Sequence, residues 1–188
     1  HAGNTPFRLY KQNQHEGGIS SPLVVHWPAG LKTAPGSYTS QPGHLIDFMA
    51  TFLDVGNATY PKQVGTRAID PLQGLSLNPI FRGEQRKPHD TLYFHFGTDR
   101  ALRQGDWKLV SAKRGRWELY NMDSDRTELH DLSAEQPERV KAMSAEWFDM
   151  AKNIDRVKGK QLAPVKEELS DIGFRKDTSD QLAPEDSK

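Results

Sequence analysis

The chain has 188 residues, and its 25 Lys and Arg balance 25 Asp and Glu, so neither a nucleic acid backbone nor an anionic membrane surface is an indicated electrostatic partner. It has no Cys, which excludes disulfides, thiolate zinc sites and a cysteine nucleophile supplied by this sequence. No apolar run approaches the roughly 18 residues of a membrane-spanning helix.

Residues 1–36 read as a loop, a strand and a loop. Leu23-Val24-Val25-His26-Trp27 is apolar and β-branched between Pro22 and Pro28, the pattern of a strand buried on both faces. His26, between Val25 and Trp27, then reads as a core histidine. From His44 to Val55, Leu45, Phe48, Phe52 and Val55 recur at spacings of three and four, which predicts a helix ended by Gly56. His44 and Asp47 share a face of it and read as capping groups rather than metal ligands. Ser76 to Arg82 predicts a short helix with Ser76 as its cap and Gly83 as its stop.

From Asp90 the period changes. Residues 91–96, 100–103, 107–110 and 117–120 alternate as four strands, separated by Gly97-Thr98-Asp99, Gln104-Gly105-Asp106 and Lys113-Arg114-Gly115-Arg116. That is an antiparallel meander. A helix follows, with Val140, Met143, Trp147, Met150 and Ile154 as its apolar stripe, and it most simply covers one face of the sheet. Either a Ser133–Gln136 capping box or Pro137 as first residue would start it. Beyond about Gly159 the sequence is polar and reads as an extended or disordered arm. The expected organisation is 1–89, 90–157 and a tail of 158–188.

The densest unusual stretch is Pro6-Phe7-Arg8-Leu9-Tyr10-Lys11, followed by His15-Glu16-Gly17-Gly18, Ser21-Pro22 and Trp27-Pro28. Read from the residues alone, Glu16-Gly17-Gly18 is a tight turn whose glycines permit unusual torsions. Lys11 on the loop entering it is ordinarily a solvated charge.

These residues resemble the signature of the sulfatase family, the formylglycine-dependent sulfuric ester hydrolases. The likeness continues in His44-Leu45-Ile46-Asp47 and Ala50-Thr51-Phe52-Leu53-Asp54, with Met49-Ala50 departing from a proline usual in the family. It resumes in Gly74-Leu75-Ser76-Leu77, in Arg100 to Val110, and in Glu118-Leu119-Tyr120 with Asp125, Glu128 and Asp131-Leu132. It covers residues 4 to about 150, in family order.

The resemblance implies an α/β fold: the end of a sulfatase-type α/β sandwich domain, then a small α+β subdomain of four antiparallel strands and one packed helix. It implies cleavage of sulfate esters, with calcium and formylglycine as the cofactors of a complete enzyme. The Cys/Ser-x-Pro-x-Arg motif and the calcium ligands belong to an N-terminal portion, so this chain is expected to supply no metal ligand and to be inactive alone. Lys11, five residues before Glu16, matches the family lysine that contacts a sulfate oxygen and is the catalytic candidate. His95 and Arg103 are substrate-binding candidates because the family's sheet approaches the catalytic mouth. Against this, His95 could simply pack on the helix and Arg103 could hold the Gly105-Asp106 turn; Lys108 stands no higher than Arg103. Kinship favours the periplasm or secretion. A non-catalytic binding module and a phosphoester or phosphonate hydrolase of the alkaline phosphatase superfamily are the alternatives.

Overall fold

A computed structural model describes residues 4–155. They form two compact units, one of residues 4–21 with 91–155 and a second of residues 22–90. Residues 4–21 thus belong with the sheet rather than with 22–89, where the motif order groups them. The tail expected at 158–188 lies outside the described residues.

The first unit opens with a loop and a single helical turn, α1 (Glu16–Ile19). In the second unit, α2 (Asp47–Val55) is followed by a two-residue hairpin, β1 (Gln63–Val64) with β2 (Arg67–Ala68), and by α3 (Asn78–Phe81). α3 starts later than expected, with Leu77 rather than Ser76 in the cap position, and the Ser76 hydroxyl accepts the Asn78 N–H at 3.0 Å from one residue further out. Gly83 ends it at φ +80°, a conformation that costs glycine little.

Two expectations fail in this unit. Residues 23–27 form no strand, and His26 is exposed rather than in a core. Val24 is 87% exposed. A lone extended segment has no ladder to join, and Pro22 and Pro28 remove an N–H donor on each side of it. The α2 helix does form, but its apolar stripe faces outward, with Leu45 75% and Phe52 65% exposed. Its inward face is Asp47, Ala50 and Thr51. The buried Asp47 carboxylate accepts the N–H groups of His44 and Leu75, both at 2.9 Å, and pairs with Arg86 at 3.0 Å and His89 at 2.7 Å. Burial by itself would raise the Asp47 pKa. These donors outweigh it and hold the carboxylate below its usual range. A satisfied polar anchor, rather than the stripe, therefore seats α2.

The first unit contains the expected meander, β3 (Leu92–Phe96), β4 (Asp99–Gln104), β5 (Trp107–Ser111) and β6 (Glu118–Asn121), in the order β3-β4-β5-β6. Gly97 at φ +61° and Gly105 at φ +55° take the positive torsions of the two tight turns. The register aligns Tyr93, Leu102, Leu109 and Leu119 across the four strands. Onto this row packs α4 (Pro137–Ile154) through Val140, Met143, Trp147 and Ala151. Pro137 is the first helical residue and Gln136 makes no side-chain cap, so the capping-box start is not used. The missing Pro137 N–H is one the first turn leaves unpaired anyway.

The opposite sheet face carries Phe94, Ala101 and Val110 in one cross-strand row and Arg103, Lys108 and Tyr120 in the next. The residues 4–20 dock on this face. The sheet is therefore covered on both sides, by a helix on one and by an irregular loop on the other.

Candidate functional site

Lys11 lies on the loop between Arg8 and Glu16, flanked by Leu9 at φ +62° and Gln12 at φ +79°. Neither is glycine, and left-handed torsions at such residues persist only when their surroundings over-determine them. Those surroundings are two ties to the sheet. On the leading side, the Arg8 guanidinium donates to the Tyr120 hydroxyl at 2.8 Å and the Glu128 carbonyl at 3.0 Å, and pairs with Glu118 at 3.4 Å. On the trailing side, His15 Nε2 meets Glu118 Oε2 at 3.1 Å and Glu16 pairs with Lys108 at 2.8 Å. Lys11 itself is exposed and makes no ion pair among the described residues.

The glycine pair closes the loop for a reason other than the one expected. Neither Gly17 nor Gly18 has a positive φ. Instead the backbone passes too close for a side chain: a Cβ on Gly17 would lie 2.1 Å from the Arg8 carbonyl oxygen, and one on Gly18 2.0 Å from that of Asn13. Gly17 N–H donates to the Arg8 carbonyl at 2.9 Å, and the Asn4 side chain donates to the Gly17 carbonyl at 2.8 Å. Close approach, rather than torsional freedom, demands glycine here.

Electrostatics reinforce the docking. Burial of Glu118 opposes its charge, but hydrogen bonds from His15 and Tyr120 and the charges of His15 and Arg8 hold its pKa at about 2. The same surroundings act in reverse on Tyr120, which burial and the Glu118 carboxylate push well above the usual phenol range. A carboxylate depressed on folding contributes stability that is complete above its unfolded pKa, near 4.5, and is lost as pH falls toward 2. Between those limits wild type should lose on the order of 3 kcal/mol through this group. Urea titrations at pH 6 and pH 3 should show Glu118→Gln with a smaller drop than wild type; an equal drop would sink the assignment.

The three predicted site residues divide between the faces of the sheet: His95 lies on the α4 face, and Arg103 shares a cross-strand row with Lys108 on the face that residues 4–20 cover. His95 faces α4, where its Nδ1 meets the Asp155 carboxylate and its ring sits edge-on to Trp147 at 5.2 Å. The Arg103 guanidinium donates to the Gly105 carbonyl at 3.0 Å, across its own turn. Lys11 rides on the loop that covers the face carrying Arg103, Lys108 and Tyr120. Lys108, weighed as a substrate contact, is instead buried against Glu16 and Glu128, and what the motifs did not reveal is this pairing and that of Arg8 and His15 with Glu118. Lys108 is placed by strand alternation with Leu109, a signal that was present but said nothing of its partners. No group of three or more His, Asp or Glu side chains among the described residues is placed to hold a metal ion.

Residues 7–153 match the family described as N-sulphoglucosamine sulphohydrolase, C-terminal. The chain belongs to this sulfatase family. It is 34% identical over 93 residues to the steryl-sulfatase of Mus musculus, covering 50% of this chain and 14% of that protein. With the sulfatase of Formosa agariphila it shares 32% identity over 95 residues, 50% of this chain and 16% of the relative. Among solved structures, the sulfatase chain superposes on Ps i-CgsB with a TM-score of 0.63 at 26% identity, over 79% of this chain and 32% of the other. It therefore spans less than a fifth of these two curated relatives and about a third of that solved chain. The mixed α/β fold, with a four-stranded antiparallel sheet and its packed helix, is the architecture of a sulfatase C-terminal region.

Proposed function

We propose that this sulfatase chain is the C-terminal part of a sulfuric ester hydrolase that cleaves sulfate monoesters, and that Lys11 contacts the sulfate group. One observation carries the reading: the loop is tied to the sheet on both sides of Lys11, while Lys11 itself is left exposed. A held, unpaired ammonium is suited to an anionic ester. It gives a compact positive charge for the oxygens that gain negative charge as the sulfur–oxygen bond breaks.

The calcium ion and formylglycine of a complete sulfatase would supply charge neutralisation and the nucleophile. The residues of this chain do not fit either group: this sequence has no Cys, none of its Ser residues stands in a Ser-x-Pro-x-Arg pattern, and no set of three ligating side chains occurs among the described residues. Both are assigned to an N-terminal portion, and the chain by itself is expected to be inactive. Kinship favours secretion or the periplasm. His95 and Arg103 remain substrate-binding proposals of lower rank than Lys11, since both side chains already hold partners within the fold.

The test is turnover of an aryl sulfate against the matching aryl phosphate by the complete polypeptide carrying this segment. Preference for the sulfate is expected. Preference for the phosphate would make it a phosphoester hydrolase of the same superfamily, and turnover of neither would leave a non-catalytic binding module.

A further inference from the structure

We infer that Lys108, through buried ion pairs with Glu16 and Glu128, positions the loop that carries Lys11; the inference rests on the reading of Lys11 as the sulfate-contacting group. Lys108 is 0% exposed, on the sheet face away from α4. Its Nζ lies 2.8 Å from Glu16 Oε1 and 2.8 Å from Glu128 Oε1. Glu128 Oε2 accepts the backbone N–H of Glu16 at 2.8 Å, so one carboxylate joins the ammonium to the main chain of the loop. Arg126 adds a second cation, 3.3 Å from Glu16 Oε2, so two positive groups face two negative ones. Glu128 itself is held at φ +59°, a left-handed torsion that aims its side chain into this group.

A role in bare stability does not account for this arrangement. Buried ion pairs are often replaceable by apolar side chains of similar volume at little loss, because the desolvation of both charges offsets their attraction. What an apolar side chain cannot do is fix direction. The ammonium donates a hydrogen bond to Glu16 Oε1 and lies beside Glu128 Oε1 as an ion pair, while Glu128 Oε2 takes the Glu16 N–H, and together these contacts define where Glu16 sits. Glu16 in turn sets the end of a loop whose start is held by Arg8 on Tyr120 and on the Glu128 carbonyl. Glu128 thus serves both ends of the loop, by its side chain at Glu16 and by its carbonyl at Arg8. Lys11 has no ion pair of its own among the described residues to steer it, so its place follows from these ties. Misplacing a reacting group by about 1 Å costs on the order of 10² in rate.

The variant Lys108→Met, in the complete polypeptide, tests this through two readouts. With an aryl sulfate, kcat should fall by about 10–10²-fold while KM changes less than about threefold, and Lys108→Arg should recover part of the loss. Amide hydrogen exchange should quicken by about tenfold or more over residues 9–16 and stay unchanged over α4, a local loosening that a merely structural role would not produce. Should Lys108→Met not fold, the isosteric Glu128→Gln carries the same test. Unchanged exchange at 9–16, or quickening shared equally by α4, overturns the inference. Lys11→Ala run alongside keeps the two readings apart. If it leaves kcat intact the reading of Lys11 fails, and the exchange data alone decide whether Lys108 orders the loop.

Discussion

Trp147→Ala is expected to destabilise the sheet unit by about 3–5 kcal/mol, the range for deleting a large aromatic side chain from a packed core. Trp147 is 0% exposed and is the point where α4 meets the sheet. Its ring stacks on Tyr93 at 5.3 Å and lies near Trp117, Phe148 and His95 at 6.0, 5.1 and 5.2 Å. Its indole N–H donates to the Phe94 carbonyl at 3.1 Å, and the Arg100 guanidinium lies over its face at 5.5 Å. Truncation would remove all of these at once and leave a cavity lined by aromatic edges. Helices in proteins draw most of their stability from packing an amphipathic face rather than from propensity, so α4 depends on this seat. Urea unfolding followed by far-UV circular dichroism would measure the loss. Trp147→Phe should lose less, since it keeps most of the apolar ring and gives up the hydrogen bond. A Trp147→Ala loss below about 1 kcal/mol, outside the usual range for such a deletion, would mean that α4 is held by something other than this contact.

In the complete polypeptide, Lys11→Ala should lower kcat for an aryl sulfate by about 10²–10³-fold, the usual cost of removing one group that stabilises developing charge. Its effect on stability should stay within about 0.5 kcal/mol, as for surface substitutions without partners. The contrast follows from the fold. Lys11 is exposed and makes no ion pair among the described residues, whereas the loop beneath it is held by Arg8, His15 and Glu16. Lys11→Arg keeps the charge but spreads it over a larger planar group, so it should restore only part of the rate. Thermal unfolding and steady-state kinetics on the same preparations separate the two effects. Near-normal kcat in Lys11→Ala would remove Lys11 from the mechanism; a large drop in melting temperature would mean that the rate loss reports unfolding.

The meander, its turns and α4 were legible in the amino-acid sequence because their signals are local. Short β-branched and aromatic runs between Thr91 and Tyr120, glycines at two tight turns and an apolar stripe from Val140 to Ile154 each declare their element within a few residues. The spaced motifs around Glu16-Gly17-Gly18 carried the family in the same way. Where the outcome depended on partners, sequence reading failed. The apolar run at 23–27 has the composition of a strand, but a strand exists only against a neighbour. The stripe of α2 is regular, yet Asp47 and its four donors decide which face turns inward.

The loop under Lys11 divides along the same line. Its lysine, its glutamate and its two glycines are visible as a motif, and with them the placement of a charge near a tight turn. That Glu16 meets Lys108, 92 residues away, and Glu128, 112 residues away, is decided only by the folded chain. So is the reason for the glycines, which is the passage of the Arg8 and Asn13 carbonyls rather than a torsion. Local periodicity records which way a backbone turns. Ion pairs between distant segments and close passages of one backbone past another have no period to record, and they come into being when the sheet brings those segments together.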